Sequence, residues 1–211
     1  MKIYDISMSV FYDMPVYKKK AAKRPVLNVE SDFISGAVYE TKLEMNMHTG
    51  THIDAPLHML EDGYTIDKLD LKKVITTCKV FDFKHVEGKI SQEHLEEKNI
   101  SAGDFIILKT KNSYEDILEG EFIYLDKQGA EYLRNKKIIG VGIDALGIER
   151  AQPNHETHTL LLGEGIVILE GLRLKEVEEA EYLLVAAPIN VVGAEAAPVR
   201  AVLIKQQAVP L

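Results

Sequence analysis

Apolar residues in this chain come in short, β-rich bursts separated by polar stretches. Runs at 77–83, 105–108, 122–125, 138–143, 166–169, 183–187 and 199–204 are too short for ordinary helices and mostly end at glycine or charged residues, as strands do. Two intervening segments read as helices. SQEHLEEKN (91–99) opens with Ser91 as a candidate N-cap and carries an amphipathic pattern. DKQGAEYLRNK (126–136) opens with Asp126 and ends in basic residues, which suit the negative end of a helix dipole. Strands outnumber helices, and the helices come singly between them. That order predicts an α/β fold, with a mixed, barrel-like β-sheet and a few outer helices. The acidic stretch KEVEEAEY (175–182) reads as a solvated helix face or a turn before a strand. Repeats, low-complexity tracts and linkers are absent from the sequence, so residues 1–211 are expected to form a single domain.

Composition narrows the functional classes. With 211 residues and 46% hydrophobic content, the chain can bury one sizeable core. A net charge of -8 argues against nucleic acid, which needs a basic stripe. The densest basic run, Lys18-Lys19-Lys20 with Lys23 and Arg24, reads as a solvated loop. One cysteine, Cys78, excludes an intramolecular disulfide, fits a reducing compartment and reads as a buried structural thiol. A basic-then-apolar leader and a membrane-length apolar run are both missing, so a soluble cytoplasmic protein without a membrane partner is expected. GVGIDALG (140–147) lacks dinucleotide-loop spacing; its glycines read as a strand end where backbone approaches closely. None of the serines sits in G-x-S-x-G, so serine-hydrolase chemistry has no support.

The segment MHTGTHIDAPLHML (47–60) places His48, His52, Asp54 and His58 within eleven residues. Gly50, Thr49, Thr51 and Pro56 argue against a helix, leaving an extended or looped segment. On a strand, the even steps between His52, Asp54 and His58 would point these side chains to one side. Imidazole with carboxylate suits zinc, manganese or iron(II), and the lack of nearby cysteine argues against a closed structural zinc site. Of the other histidines, His85 and His94 read as solvated, and His155 is flagged as exposed by Asn154 and Glu156. His158 and Glu170 sit at the edges of apolar runs. Either alone reads as a hydrogen-bonded core residue. Beside the first cluster both become candidate ligands, because a buried carboxylate is costly unless it meets a cation.

The full pattern His48-x-Gly50-Thr51-His52-x-Asp54-x-Pro56-x-His58 resembles the H-x-G-T-H-x-D-x-P-x-H motif of the cyclase family of metal-dependent hydrolases, which includes bacterial kynurenine formamidases and isatin hydrolases. DIS (5–7), VGID (141–144) and HTLLLGEGIVILEGL (158–172) extend the similarity over nearly the whole chain. The resemblance implies a cyclase-like fold of the swivelling β/β/α type. It also implies that His48, His52 and Asp54 hold one metal and that Asp54, His158 and Glu170 hold a second, with either Asp54 alone or both Asp54 and Glu170 shared. His58 would transfer protons. Two positions depart from relatives: Tyr17 stands in Pro15-Val16-Tyr17-Lys18-Lys19-Lys20 where many have tryptophan, and Gly147 where many have serine.

Together these readings predict a zinc-dependent amidohydrolase, with one or two Zn2+ per subunit and Mn2+ as the alternative. It would cleave a small N-formyl or cyclic amide, as an arylformamidase does, through metal-activated hydroxide with His58 relaying the proton. An isatin hydrolase-like or lactone-cleaving enzyme is a variant of this reading. The rival from another class is a non-catalytic protein that uses the metal to bind a small carboxylate. The expected assembly is a homo-oligomer, a dimer or tetramer.

Overall fold

The apolar runs are gathered into one curled sheet. The structure, a computed structural model, describes residues 1–205. Its first strands are β1 (Lys2–Asp5), β2 (Val26–Ser31), β3 (Glu40–Glu44) and β4 (His52–Asp54). The middle of the chain forms β5 (Ile75–Asp82), β6 (Lys89–Ile90), α1 (Gln92–Glu96), β7 (Phe105–Lys109), β8 (Tyr124–Leu125), α2 (Lys127–Asn135) and β9 (Gly140–Ile143). Then follow α3 (Glu156–Gly163), β10 (Val167–Glu170), β11 (Ala180–Val185), β12 (Ala196–Pro198) and β13 (Val202–Lys205).

Nine strands form a mixed sheet in the order β1-β13-β11-β5-β7-β9-β10-β4-β12. The central β5, β7, β9 and β10 run parallel, and the flanking pairs are antiparallel. The final segment explains the curl. β12 pairs with β4 at one end of the order, and β13, a few residues later, lies between β1 and β11 at the other. One continuous stretch of chain therefore reaches both ends, so the sheet bends into a half-barrel.

The two faces of β7 show how the core is divided. Phe105 and Ile107 point into the barrel with Ile53, Val167, Leu169 and Leu203. Ile106 and Leu108 pack outward against Leu95, Leu133 and Leu161 of the three helices. Burial on both faces is why this strand reads as a continuous apolar run. Gly140 and Gly142 alternate with the outward Val141 and Ile143 of β9. A Cβ on Gly140 would meet the Phe105 ring at 2.3 Å. The glycines thus make room for a barrel-filling aromatic within the strand, a different use from the strand-end approach expected.

Both expected helices form. Ser91 and His94 make a capping box at α1, with the Ser91 N–H donating to His94 Nδ1 at 3.1 Å. His94 is therefore part of a cap, not merely a solvated residue. Asp126 caps α2 by accepting the Gly129 N–H at 2.9 Å. The run at 122–125 yields only β8, paired with β6 in a separate ribbon. The acidic stretch becomes a turn leading into β11. Cys78 is buried in β5, and burial pushes its thiol up to about 12. Among the described residues, no helix is long and apolar enough to cross a membrane.

Candidate metal centre

β4 is a three-residue strand whose middle residue, Ile53, points into the barrel. Strand alternation then sends His52 and Asp54 to the outer, helix-facing side. The antiparallel register places Glu170 opposite His52, so its carboxylate shares that face. α3 packs on the same side and delivers His158. His48 sits in the turn before β4, while His58 lies in a 3-10 turn, Pro56–His58, beyond it. The even-step reading therefore holds for His52 and Asp54, and His58 arrives by a turn instead.

Two glycines let the ligand segments meet. Gly50 and Gly171 both adopt left-handed backbone, with φ of 72° each. A Cβ on Gly171 would lie 2.3 Å from the Gly50 carbonyl oxygen. Thr51 locks this approach: its hydroxyl donates to Gly171 O at 2.7 Å and accepts the Met8 N–H at 2.8 Å. The His48–His52 turn and Glu170 are thereby fixed against each other.

Around Asp54 the donor atoms converge. Asp54 Oδ1 lies 2.9 Å from His48 Nδ1 and 3.4 Å from His52 Nε2, and Oδ2 lies 3.5 Å from His158 Nε2. Glu170 Oε2 is 3.3 Å from His52 Nε2, and its Oε1 is 3.3 Å from His158 Nε2. Yet His52 Nε2 and both Asp54 oxygens are buried without any hydrogen bond. Three orphaned ligand atoms at the centre of an imidazole and carboxylate cluster fit a divalent cation, which would satisfy all of them. Asp54 belongs to two overlapping groups, one with His48 and His58 and one with His52 and Glu170, each with donor atoms within 4.8 Å of one another. His58 is thus close enough to count with the ligands, and the proton-transfer role is a chemical assignment.

Each of three imidazoles has its other ring nitrogen held from outside. His52 Nδ1 faces Gly50 O at 3.0 Å, His48 Nε2 faces Glu195 at 3.2 Å, and His158 Nδ1 faces Glu149 at 2.5 Å. Such outer partners fix ring orientation and tautomer and raise the basicity of the inner nitrogen. Glu149 also accepts the Thr157 and His158 N–H groups at 3.2 and 3.4 Å. It therefore caps α3, whose N-cap residue His155 makes no side-chain cap. Sequence reasoning missed Glu149 and Glu195. α3 was hidden as well, because its consecutive leucines carry no helical period, and only the helix reveals Glu149 as the partner of His158.

Charge within the cluster is strongly coupled. Burial opposes charging His52, but the facing Asp54 and Glu170 carboxylates push it up to about 10, and His158 is raised likewise against its burial by Asp54, Glu149 and Glu170. Burial would raise Asp54, yet the surrounding histidines hold it well below the usual carboxylate range. Burial and Asp54 push Glu170 up, and His158 with His52 bring it to about 2. Protonated imidazoles thus balance the carboxylates that a cation would otherwise neutralise. His58 differs: its half-buried ring is lowered by burial, and it makes no side-chain hydrogen bond among the described residues. Its ring lies 4.1 Å from that of His48 and 5.6 Å from that of His158.

A cavity of about 220 Å³ opens onto the cluster, lined by His48, His58, His158, Tyr17 and Lys23. Tyr17 and Gly147, the positions expected to depart from the family pattern, meet in its wall. A Cβ on Gly147 would touch the Tyr17 ring at 3.6 Å, so the tyrosine covers the place where a serine side chain would begin. Lys23 belongs to the basic run expected to be a solvated loop, and the structure places it in this wall instead. His155 is exposed as expected, at the cavity rim 3.5 Å from Glu149.

Comparison with known proteins agrees with this geometry. A family described as "Putative cyclase" matches residues 4–150. A kynurenine formamidase of Bacillus cereus is 32% identical over 175 residues, 80% of this chain and 81% of that protein. A solved structure described as a potential metal-dependent hydrolase with cyclase activity is 45% identical, superposes with a TM-score of 0.90 and covers 98% of both chains. Isatin hydrolase A of Labrenzia aggregata shares the fold at a TM-score of 0.85 and 21% identity, over 97% of this chain and 94% of that one. The chain belongs to the cyclase family of metal-dependent hydrolases.

Proposed function

We propose that this protein hydrolyses a small amide, of the N-formyl or cyclic class, at a divalent metal held by His48, His52, Asp54, His158 and Glu170. The observation that carries this reading is the set of three orphaned buried ligand atoms of His52 and Asp54, in a cluster whose His48, His158 and Glu170 line a cavity beside the unbonded His58 imidazole. Zinc is the proposed metal, with manganese the alternative, since both accept nitrogen and carboxylate donors. The cation would supply an acidified water and polarise the scissile carbonyl.

The chain's own groups supply the rest. Gly50 O, Glu195 and Glu149 orient the three imidazoles, leaving inner nitrogens free to ligate. Asp54 and Glu170 contribute negative charge that offsets the cation. A ring nitrogen of His58 takes the proton of the attacking water and returns it to the leaving nitrogen. Burial favours the neutral, proton-accepting form of this ring. Tyr17, whose phenol is raised by burial and by the charge of Glu170, stays neutral and forms part of the substrate wall.

Names of relatives support an amide substrate: one is a kynurenine formamidase and another an isatin hydrolase. A cytoplasmic homo-oligomer belongs to the same reading. Phe33 and Ile34, 76% and 97% exposed at the tip of the β2–β3 hairpin, offer apolar surface for a second copy. The test is incubation of the metal-loaded protein with N-formylkynurenine and isatin. Metal-dependent product from either supports the proposal. Tight metal binding with no product from these or related amides and lactones would make the protein a metal-dependent binder instead.

A further inference from the structure

The cavity wall carries a cation that the metal cluster does not use. Lys23 is half-buried, and among the described residues its ammonium makes no hydrogen bond or ion pair. Its Nζ lies 5.7 Å from the centre of the Tyr17 ring. Of its neighbours in the run, Lys19 pairs with Glu119, Arg24 turns outward to Asp13 and the Tyr12 carbonyl, and Lys18 sits 5.2 Å from the same Tyr17 ring. The Lys23 backbone is fixed to the ligand turn, because the buried Thr49 hydroxyl donates to Lys23 O at 2.8 Å. Thr49 lies between His48 and Gly50, so this lysine is held in register with the metal cluster. In a chain of net charge -8, an ammonium left without a carboxylate partner while losing water is an unfilled position.

Burial and the charge of Lys20 depress the Lys23 ammonium, and Glu170, Asp54 and Glu195 support it only at longer range. A cation in the centre would neutralise much of that support and leave Lys23 facing the cavity without a counter-charge. A bound anion would complete the arrangement.

We propose that Lys23 is a specificity-determining residue that pairs with a carboxylate on the substrate, so that the preferred substrates are small amides bearing an anionic group. This rests on the amide reading given above. The carboxylate would sit against Lys23 Nζ and the tyrosine wall, with the amide directed toward His58.

Formamidobenzoates with the carboxylate ortho, meta or para to the formamide, compared with formanilide, provide the test. For the metal-loaded wild type, at least one isomer should exceed formanilide in kcat/KM by about 10- to 100-fold, the range of a charge-assisted hydrogen bond. Lys23→Met should abolish that preference, and Lys23→Arg should retain part of it. Binding supplies a readout independent of turnover: calorimetric affinity for the matching aminobenzoate should fall about 10-fold or more in Lys23→Met and weaken with salt in the wild type. Equal losses for formanilide and formamidobenzoates would overturn the assignment, as would aminobenzoate binding insensitive to Lys23. If no formamide is hydrolysed while aminobenzoate binding depends on Lys23, the amide reading fails and the anion site stands.

Discussion

Replacing Glu149 by glutamine tests whether the outer partners tune the metal centre. The substitution preserves shape and a carbonyl acceptor for the Thr157 N–H, but removes the charge facing His58's neighbour His158 at 2.5 Å. Loss of such a partner lowers metal affinity by about 10- to 100-fold, or ~1.4–2.8 kcal/mol. The effect has a pH signature with a definite sign. Glu149 also helps raise the protonation of His158, and a metal must displace that proton from Nε2. Removing the charge lowers the proton competition as well as the ligand basicity. The deficit should therefore be largest near pH 8 and shrink toward pH 6. Chelator competition across this range measures it, with the thermal midpoint of the metal-free protein as a fold control. Glu149→Ala should also lower that midpoint, because two α3 N–H groups lose their acceptor at about 1–3 kcal/mol each. Wild-type affinity in Glu149→Gln at pH 8 would show that the Glu149 charge does not tune the metal centre.

Other residues give separate expectations. His58→Ala should reduce turnover by roughly 10²–10⁴ with metal content retained, and loss of metal in that variant would make His58 a ligand. Because His58 is lowered from its ordinary 6.5, the acid limb of kcat/KM should lie below that value; a limb at or above pH 7 would contradict its role as base. In metal-free protein His52 is raised from 6.5 to about 10, so its stabilising contribution is complete below pH 6.5 and lost as pH rises toward 10. Thermal melts of stripped protein should show that decline, and metal-loaded protein should not, since the cation replaces the proton. Gly171→Ala combines left-handed backbone with a 2.3 Å contact to Gly50 O; about 2–4 kcal/mol of stability should be lost, read by denaturant unfolding, with weakened metal affinity.

What could be read from the sequence follows from how local each signal is. His48, His52 and Asp54 lie within seven residues, so spacing alone suggested shared chemistry, and the β4 alternation shows why two of them share a face. His158 and Glu170 were visible as polar residues at apolar edges, but only the β4–β10 register and α3 bring them to Asp54. Glu149 and Glu195 gave no signal, since a carboxylate in a loop looks the same whether it orients a histidine or meets solvent. The run 105–108 was legible because burial on both faces demands apolar residues throughout, and 77–83 because its buried Cys78, Val80, Phe81 and Phe83 outnumber the polar positions between them. β2 and β3 were not, because an exposed hairpin mixes charged and apolar positions. Closure of the half-barrel by residues 196–205 is a pairing between distant segments and leaves no local trace.

In the proposed site a divalent cation completes the unsatisfied atoms of His52 and Asp54. Anomalous diffraction from crystals of zinc-loaded protein, recorded on both sides of the zinc edge, tests it directly. A peak is expected about 2.0–2.2 Å from His52 Nε2 and an Asp54 oxygen, next to the cavity that holds His58. A zinc peak lying elsewhere, or none at all with these atoms hydrogen-bonded to one another instead, would contradict it.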